Sequence, residues 1–219
     1  MLASVSTRPT AKRLPRAVRE QQMLDAAVRV FSRRGFHAAS MDEIAELAGI
    51  SKPMVYAYLG TKEELFTACL HREGTRLMEA IVAAVRPDRP FEERLWCGLR
   101  AFFGFVGQHR DAWAVLYRQA RGEQPFAGVL MEMRGRMIEA VTGMLERGLA
   151  AEQRGPRGTG PELTIMAYAL VGAAESVADW LVDHPDADPA ELADRLMNIA
   201  WTGARSLLAG QVWHPPTAG

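Results

Sequence analysis

The stretch from Asp42 to Tyr58 constrains the fold of this chain most, because it fits two short helices joined by a tight turn. Such a pair requires a small residue where the helices meet, a turn residue free to adopt positive φ, and an apolar residue that seals the core. Ala45, Gly49 and Val55 meet these three requirements in this order. The spacing therefore predicts a helix-turn-helix motif, although the pattern taken alone also produces false matches.

The rest of the chain is predicted to be helical as well. No segment combines alternating apolar and polar residues with many β-branched side chains, as half-buried strands do. Ser40–Glu43 and Thr61–Glu64 read as capping boxes, and glycine and proline mark the helix ends. The fold class is therefore all-α. Helices are expected at about residues 16–34, 41–48, 52–59, 62–85, 91–108, 111–121, 127–151, 161–182 and 189–209.

The charge of the chain differs between its two parts. The 219 residues carry 26 Lys and Arg against 26 Asp and Glu, and this zero balance taken whole argues against a nucleic-acid partner. Residues 1–62, however, hold ten basic and five acidic residues, whereas residues 63–219 hold 16 and 21. We therefore expect a disordered basic arm at 1–15, a basic helix-turn-helix domain at 16–62 and a larger acidic helical domain at 63–219.

Composition also disfavours several classes of protein. No run approaches the ~20 uninterrupted apolar residues of a membrane span, and the first residues lack the apolar segment of a signal peptide. Cys69 and Cys97 stand alone, so buried thiols in a reducing cytoplasm are expected, with a disulfide as the alternative. The five histidines have no metal-ligand spacing, and nucleotide-binding and nucleophile motifs are missing. We expect a cytoplasmic protein that is not an enzyme and has no cofactor, metal site or membrane contact.

The second helix of the motif carries side chains suited to a DNA duplex. Its N-terminal residues would enter the major groove, where hydroxyl, ammonium and methyl groups meet base edges, while tyrosine and lysine donate to phosphates. The candidate contacts are Ser40, Ser51, Lys52, Pro53, Met54, Tyr56, Tyr58 and Lys62. Alternatively, Ser40 and Ser51 only cap their helices, Tyr58 packs against the first helix, and the lysines are solvated surface charges.

The block at residues 35–66, GFHAASMDEIAELAGISKPMVYAYLGTKEELF, resembles the DNA-binding domain of the TetR family of bacterial transcriptional regulators. The likeness covers about residues 16–66 and rests on the run IAELAGIS, the pair of tyrosines and the following TKEEL. The sequence departs from the family pattern at Pro53, Met54, Leu59 and Gly60. Because Pro53 and Met54 begin the recognition helix, the resemblance does not imply a base preference.

The resemblance implies a homodimer that binds a palindromic operator in double-stranded DNA and responds to a small molecule. The helices at about 161–182 and 189–209 would form the dimer interface. The effector is expected to be small and largely apolar, and to bind among the C-terminal helices. Its candidate contacts are Phe103, Trp113, Tyr117, Met137 and Glu175. For Glu175, the alternative role is a salt bridge at the interface.

The predicted function is that of a sequence-specific DNA-binding regulator, a repressor that its effector releases from the operator. Three alternatives remain: an activator, a helical ligand-binding or interaction protein without DNA binding, and a small all-α enzyme. The second is disfavoured by the presence of Lys52, Tyr56, Tyr58 and Lys62, and the third by the missing catalytic clusters.

Overall fold

The computed structural model describes residues 15–151 and 160–208, and every regular element in these two ranges is helical. The elements are α1 (Arg16–Ala38), α2 (Met41–Ala48), α3 (Lys52–Leu59), α4 (Lys62–Ala84), α5 (Phe91–Gln108), α6 (Arg110–Trp113) with a π-helical segment (Ala114–Gln119), α7 (Phe126–Ala151), α8 (Gly160–Asp183) and α9 (Pro189–Leu208). The predicted all-α fold class is confirmed. The predictions for residues 1–14, 152–159 and 209–219 lie outside the described residues.

Helix α1 extends beyond the end predicted at Arg34. Gly35 adopts a φ of 75° and kinks the helix there, but helical structure resumes and reaches Ala38. The Ala39 N–H then donates to the Gly35 carbonyl oxygen at 3.2 Å. Glycine tolerates this φ without steric cost. The helix therefore kinks at Gly35 and continues for about one further turn, which places Phe36 in the core.

The helix predicted at about residues 111–121 forms in two parts. Only Arg110–Trp113 is α-helical, and Ala114–Gln119 is π-helical. Across this junction the rings of Trp113 and Tyr117 stack with their centroids 4.9 Å apart. Single π-helical turns are frequent at functional sites, and both rings border the cavity described below.

Helices α1 to α3 and the first half of α4 share one hydrophobic core, which we call the first core. At its centre the rings of Phe31, Phe36, Phe66 and Phe126 contact one another, with the Phe66 and Phe126 centroids 4.4 Å apart. Phe126 begins α7, and residues of α6 and the π-helical segment also belong to this core. The helix-turn-helix unit therefore depends on residues that follow it far along the chain.

Two further cores lie among the C-terminal helices. The second core joins α5 to α8, α9 and the segment around Trp113, and the third core joins the start of α5 to α7 and α8. Small side chains such as Ala167 and Ala178 are fully buried in α8 and allow close packing. Arg118 adds two ion pairs to α8, and its hydrogen bond lowers the pKa of Asp183.

The two cysteines are free thiols. Cys69 is buried in the first core, and this burial raises the pKa of its thiol to about 12, so the reactive thiolate is scarce at neutral pH. Cys97 is half-buried on α5.

Helix α8 is long and apolar enough to span a membrane by length and composition alone, and within residues 15–151 and 160–208 it is the one helix that is. A core helix of a soluble protein meets the same criterion, so a single such helix is weak evidence for a membrane segment.

Candidate DNA-binding face and ligand cavity

The helix-turn-helix geometry follows from a few local interactions. The Ser40 hydroxyl accepts hydrogen bonds from the backbone N–H groups of Asp42 and Glu43, at 3.1 and 3.4 Å, and so begins α2. Gly49 ends α2 with a φ of 67°, in the left-handed region that favours glycine. Val55 is fully buried between the helices. The helix cap, the turn glycine and the buried valine are thus at the positions predicted from the sequence.

The outer face of α3 presents most of the predicted contact residues to solvent. Ser51, Lys52, Pro53 and Tyr56 are exposed, whereas Met54 is half-buried, with Arg19 3.5 Å from its sulfur. Ser51 occupies the N-cap position of α3, but its side chain makes no capping hydrogen bond. The Ser51 hydroxyl is therefore not used to begin the helix.

An exposed ion pair holds Lys52 in the free protein. Its Nζ donates to the Asp42 carboxylate at 2.9 Å, and this hydrogen bond is the main cause of its raised pKa. Both partners are largely solvent-exposed, so the pair is weak and its partners can separate. Lys52 is fully protonated at neutral pH and available to another anion.

Tyr58 and Lys62 are more engaged with the protein than Lys52 and Tyr56. Tyr58 is half-buried against the first core, and the Arg16 guanidinium lies 5.1 Å from the centre of its ring. Lys62 Nζ donates to the carbonyl oxygens of His37 and Ala39, at 3.1 and 3.3 Å. Lys62 thereby joins the start of α4 to the link between α1 and α2.

A largely apolar cavity of about 140 Å³ lies among α4, α5, α7 and α8, with Trp113 and Tyr117 contributing from the segment between α5 and α7. Four methionines line it: Met78, Met133, Met137 and Met144. These side chains make the cavity wall adaptable, because methionine rearranges at little cost.

Four of the five predicted effector contacts line this cavity: Trp113, Tyr117, Met137 and Glu175. The fifth, Phe103, is fully buried in the second core and does not line the cavity. Phe102, its neighbour, lines the cavity instead. Successive residues of an α-helix differ by about 100° in direction, so an error of one position moves a side chain to another face.

The polar groups of the cavity are gathered at Glu175. This carboxylate accepts hydrogen bonds from Arg134 Nε at 2.9 and 3.1 Å and from the Tyr117 hydroxyl at 3.4 Å. Arg121 in turn donates to the Tyr117 oxygen at 3.0 Å. Burial, followed by the charge of Glu175, raises the pKa of Tyr117. The salt bridge of Glu175 is thus formed within the chain.

Trp113 leaves one polar group without a partner. Its indole N–H is buried, and among the described residues it finds no hydrogen-bond acceptor. An unsatisfied buried donor of this kind costs about 1–3 kcal/mol.

Arg134 and Met133 line the cavity but were not among the effector contacts predicted from the sequence. Arg134 precedes Met137 by three residues and Met133 precedes it by four, so all three share one face of α7. That spacing was the available signal, since Met137 was already a candidate.

Two sequence models of known families match this chain. Residues 91–203 match a tetracyclin repressor-like C-terminal domain, which spans more than half of the chain. Residues 23–69 match the bacterial regulatory proteins of the tetR family. The chain belongs to the TetR family. The second match runs from within α1 to the first turns of α4, and the first match runs from α5 into α9.

Individual TetR-family proteins resemble the chain over most of its length. The transcriptional activator FasR of Mycolicibacterium smegmatis is 30% identical, and the alignment covers 87% of this chain and 85% of FasR. A TetR-like transcriptional regulator from Rhodococcus sp. RHA1, whose crystal structure is known, is 49% identical, with a TM-score of 0.75. The match covers 88% of this chain and 99% of the Rhodococcus chain. FadR from Bacillus subtilis, solved with stearoyl-CoA, shares the fold at 18% identity and a TM-score of 0.70, covering 84% of this chain and 98% of its own.

These relationships confirm the predicted regulator function. The chain is a DNA-binding transcriptional regulator with a helix-turn-helix and is not an enzyme. TetR-family regulators are soluble and generally cytoplasmic, and they typically act as dimers.

Proposed function

We propose that this regulator binds a palindromic operator in double-stranded DNA as a homodimer and that a small, largely apolar effector releases it. One observation carries the proposal: α4 begins beside the DNA-binding helices at Lys62 and borders the cavity from Gly74 to Ile81. A ligand that prefers a different position of α4 would shift both recognition helices, whose spacing must match about one turn of DNA, ~34–36 Å. In this proposal residues 16–62 read DNA, and residues 63–219 bind the effector and form the dimer.

The proposed DNA contacts divide into two groups. Lys52, Pro53, Met54 and Ser51 would meet base edges, because they begin the recognition helix. Ser40, Tyr56 and Lys62 would contact phosphates and so set the orientation of the motif. Tyr58 would pack beside these contacts. Tyr56 is exposed, with 46% of its surface accessible, whereas Tyr58 and Lys62 are half-buried.

Removing the Tyr56 hydroxyl is expected to weaken binding to all duplexes alike. Tyr56→Phe should lower affinity about 30-fold, because each half-site loses one hydrogen bond of ~1 kcal/mol. The measurement is fluorescence anisotropy with DNA from the region upstream of the gene. Thr142→Val, which removes a hydroxyl that donates to the Ile138 carbonyl oxygen on α7, is the control and should stay within twofold.

A salt series tests DNA binding itself. With roughly six phosphate contacts per dimer, log affinity should fall with log salt at a slope near −5. Unsaturable binding or a flat salt response would instead support a helical ligand-binding protein that does not bind DNA.

The proposed dimer interface consists of α8 and α9, at about residues 161–182 and 189–209. Large apolar side chains on these helices are exposed in the single chain: Ile165, Tyr168, Trp180 and Ile199. Ile165 and Ile199 are 67% and 73% accessible. An exposed apolar surface of this kind is stabilised when a second copy covers it.

The proposed effector carries an acyl chain. The cavity wall is apolar except around Glu175, and FadR from Bacillus subtilis was solved with stearoyl-CoA. At about 140 Å³ the cavity has the size of one that accepts benzene, so a longer chain must displace the methionines. Arg134 would meet its polar end.

Stearoyl-CoA is expected to bind and to release the protein from DNA. At a concentration of 100 times its dissociation constant it should stabilise the fold by about 2.7 kcal/mol, measured by thermal unfolding at fixed protein concentration. Coenzyme A without the acyl chain is the control and should leave the melting temperature unchanged. Equal shifts with both compounds would contradict an effector recognised by its chain.

Repression is the proposed mode of action, and activation is the second candidate because the relative FasR is an activator. A 28% identical relative from Streptomyces coelicolor is a repressor. Deleting the gene should raise transcription from the bound promoter if the protein represses, and lower it if the protein activates.

A further inference from the structure

The cavity and the first core share a wall. Leu130 and Met133, one turn apart on α7, line the cavity and also pack against the first core, which holds α1 to α3 together. The other cavity methionines of this helix, Met137 and Met144, pack against the third core, away from the DNA-binding helices. Neighbouring positions of one cavity wall therefore contact different parts of the protein.

Met133 also reaches the backbone of α4. Gly74 is buried in that helix, and a Cβ atom added to it would overlap the Met133 methyl group. The methyl therefore occupies the space that glycine leaves beside the α4 backbone. Gly74 lies between the start of α4, which belongs to the first core, and Leu77, which belongs to the second core.

A molecule larger than the present cavity would have to move this side chain. Because Met133 is seated between the cavity, Gly74 and the first core, a ligand that pushes it presses directly on α4 and on the core of the helix-turn-helix unit. Displacing Met137 or Met144 instead disturbs the third core. Close-packed interiors transmit such shifts because they have little free volume.

We propose that Met133, seated on Gly74, is the positioning residue through which occupation of the cavity reaches the DNA-binding helices. The inference deepens the proposed function, since it takes the cavity to be the effector site. It assigns the transmission to one contact among the many that line the cavity.

The test adds bulk at each of the three cavity methionines of α7 and needs no effector. Met133→Phe, Met137→Phe and Met144→Phe are compared by anisotropy on a duplex that the wild-type protein has selected from a random pool. Met133→Phe should weaken DNA binding at least tenfold, and at least three times more than Met137→Phe or Met144→Phe does. Weakening by less than threefold at Met133, or equal weakening by all three variants, would overturn the proposal.

A second pair of variants tests the same contact in case Met133→Phe does not fold. Gly74→Ala adds one methyl group that forces Met133 out of its seat, while alanine favours the helix. It should weaken DNA binding, and Gly74→Ala combined with Met133→Ala should restore it to within threefold of wild type. A double variant no better than Gly74→Ala, with circular dichroism showing both folded, would refute the role of the contact.

Stearoyl-CoA added to the wild-type protein separates the two proposals. If stearoyl-CoA neither binds the protein nor releases it from DNA, the proposal of an acyl effector is wrong. The variants are measured without ligand, so they test the role of Met133 in either case.

Discussion

Replacing Phe66 by alanine is expected to destabilise the protein by about 4 kcal/mol and to abolish DNA binding at 37 °C. Phe66 is fully buried, and its ring contacts Phe31, Phe36 and Phe126. The substitution removes the ring that joins α4 to α1 and α7 and leaves a cavity that rigid helices cannot close. Urea unfolding followed by circular dichroism measures the effect at fixed protein concentration, since dimers depend on it.

Val82→Ala is the matched control for Phe66→Ala. Val82 lies on the same helix with 66% of its surface exposed, so its loss should change stability by no more than ~0.5 kcal/mol. If Phe66→Ala costs less than about 2 kcal/mol, the four rings do not form the centre of the first core.

Replacing Glu73 by alanine is expected to cost about 3 kcal/mol. Glu73 is 1% exposed, and its carboxylate accepts hydrogen bonds from Arg72 at 2.7 Å and Arg76 at 3.1 Å. Without it the largely buried Arg72 keeps, among the described residues, only Asp25 as a charged partner. Breaking a buried pair from one side typically costs 3–5 kcal/mol. Urea unfolding gives the value.

The same cluster joins the two parts of the chain, so Glu73→Ala should also alter DNA binding. Arg72 contacts Gln21 of α1, and Arg76 lies 3.0 Å from His109 at the end of α5. Glu132→Ala is the control, because its i,i+4 pair with Arg136 is exposed and contributes at most ~0.5 kcal/mol. Similar losses in both variants would show that burial of Glu73 does not matter.

The helix-turn-helix could be predicted because its determinants are local. The cap at Ser40, the left-handed turn at Gly49 and the seal at Val55 act within a few residues of one another. Gly35 shows the limit of such reasoning: a glycine after an amphipathic run predicts a helix end, but the burial of Phe36 against Phe66 and Phe126 continues the chain into another turn.

The candidate cavity could be predicted only in part. Aromatic and methionine residues on C-terminal helices gave four of its lining residues, and helical periodicity alone could not decide between Phe102 and Phe103. Both are buried, so the choice depends on which neighbouring helix each one faces. Arg134 acquires its role only because α7 packs beside Glu175 of α8.

The sequence by itself determined the all-helical class, the DNA-reading motif and the residues on its outer face, because capping, turn conformation and helical spacing are short-range. Only the tertiary structure decided that Phe126 completes the first core, that Lys62 is held by the link between α1 and α2, and that Met133 rests on Gly74. These contacts join residues 23 to 90 positions apart. Local propensity carries no information about them, since they depend on how whole helices pack.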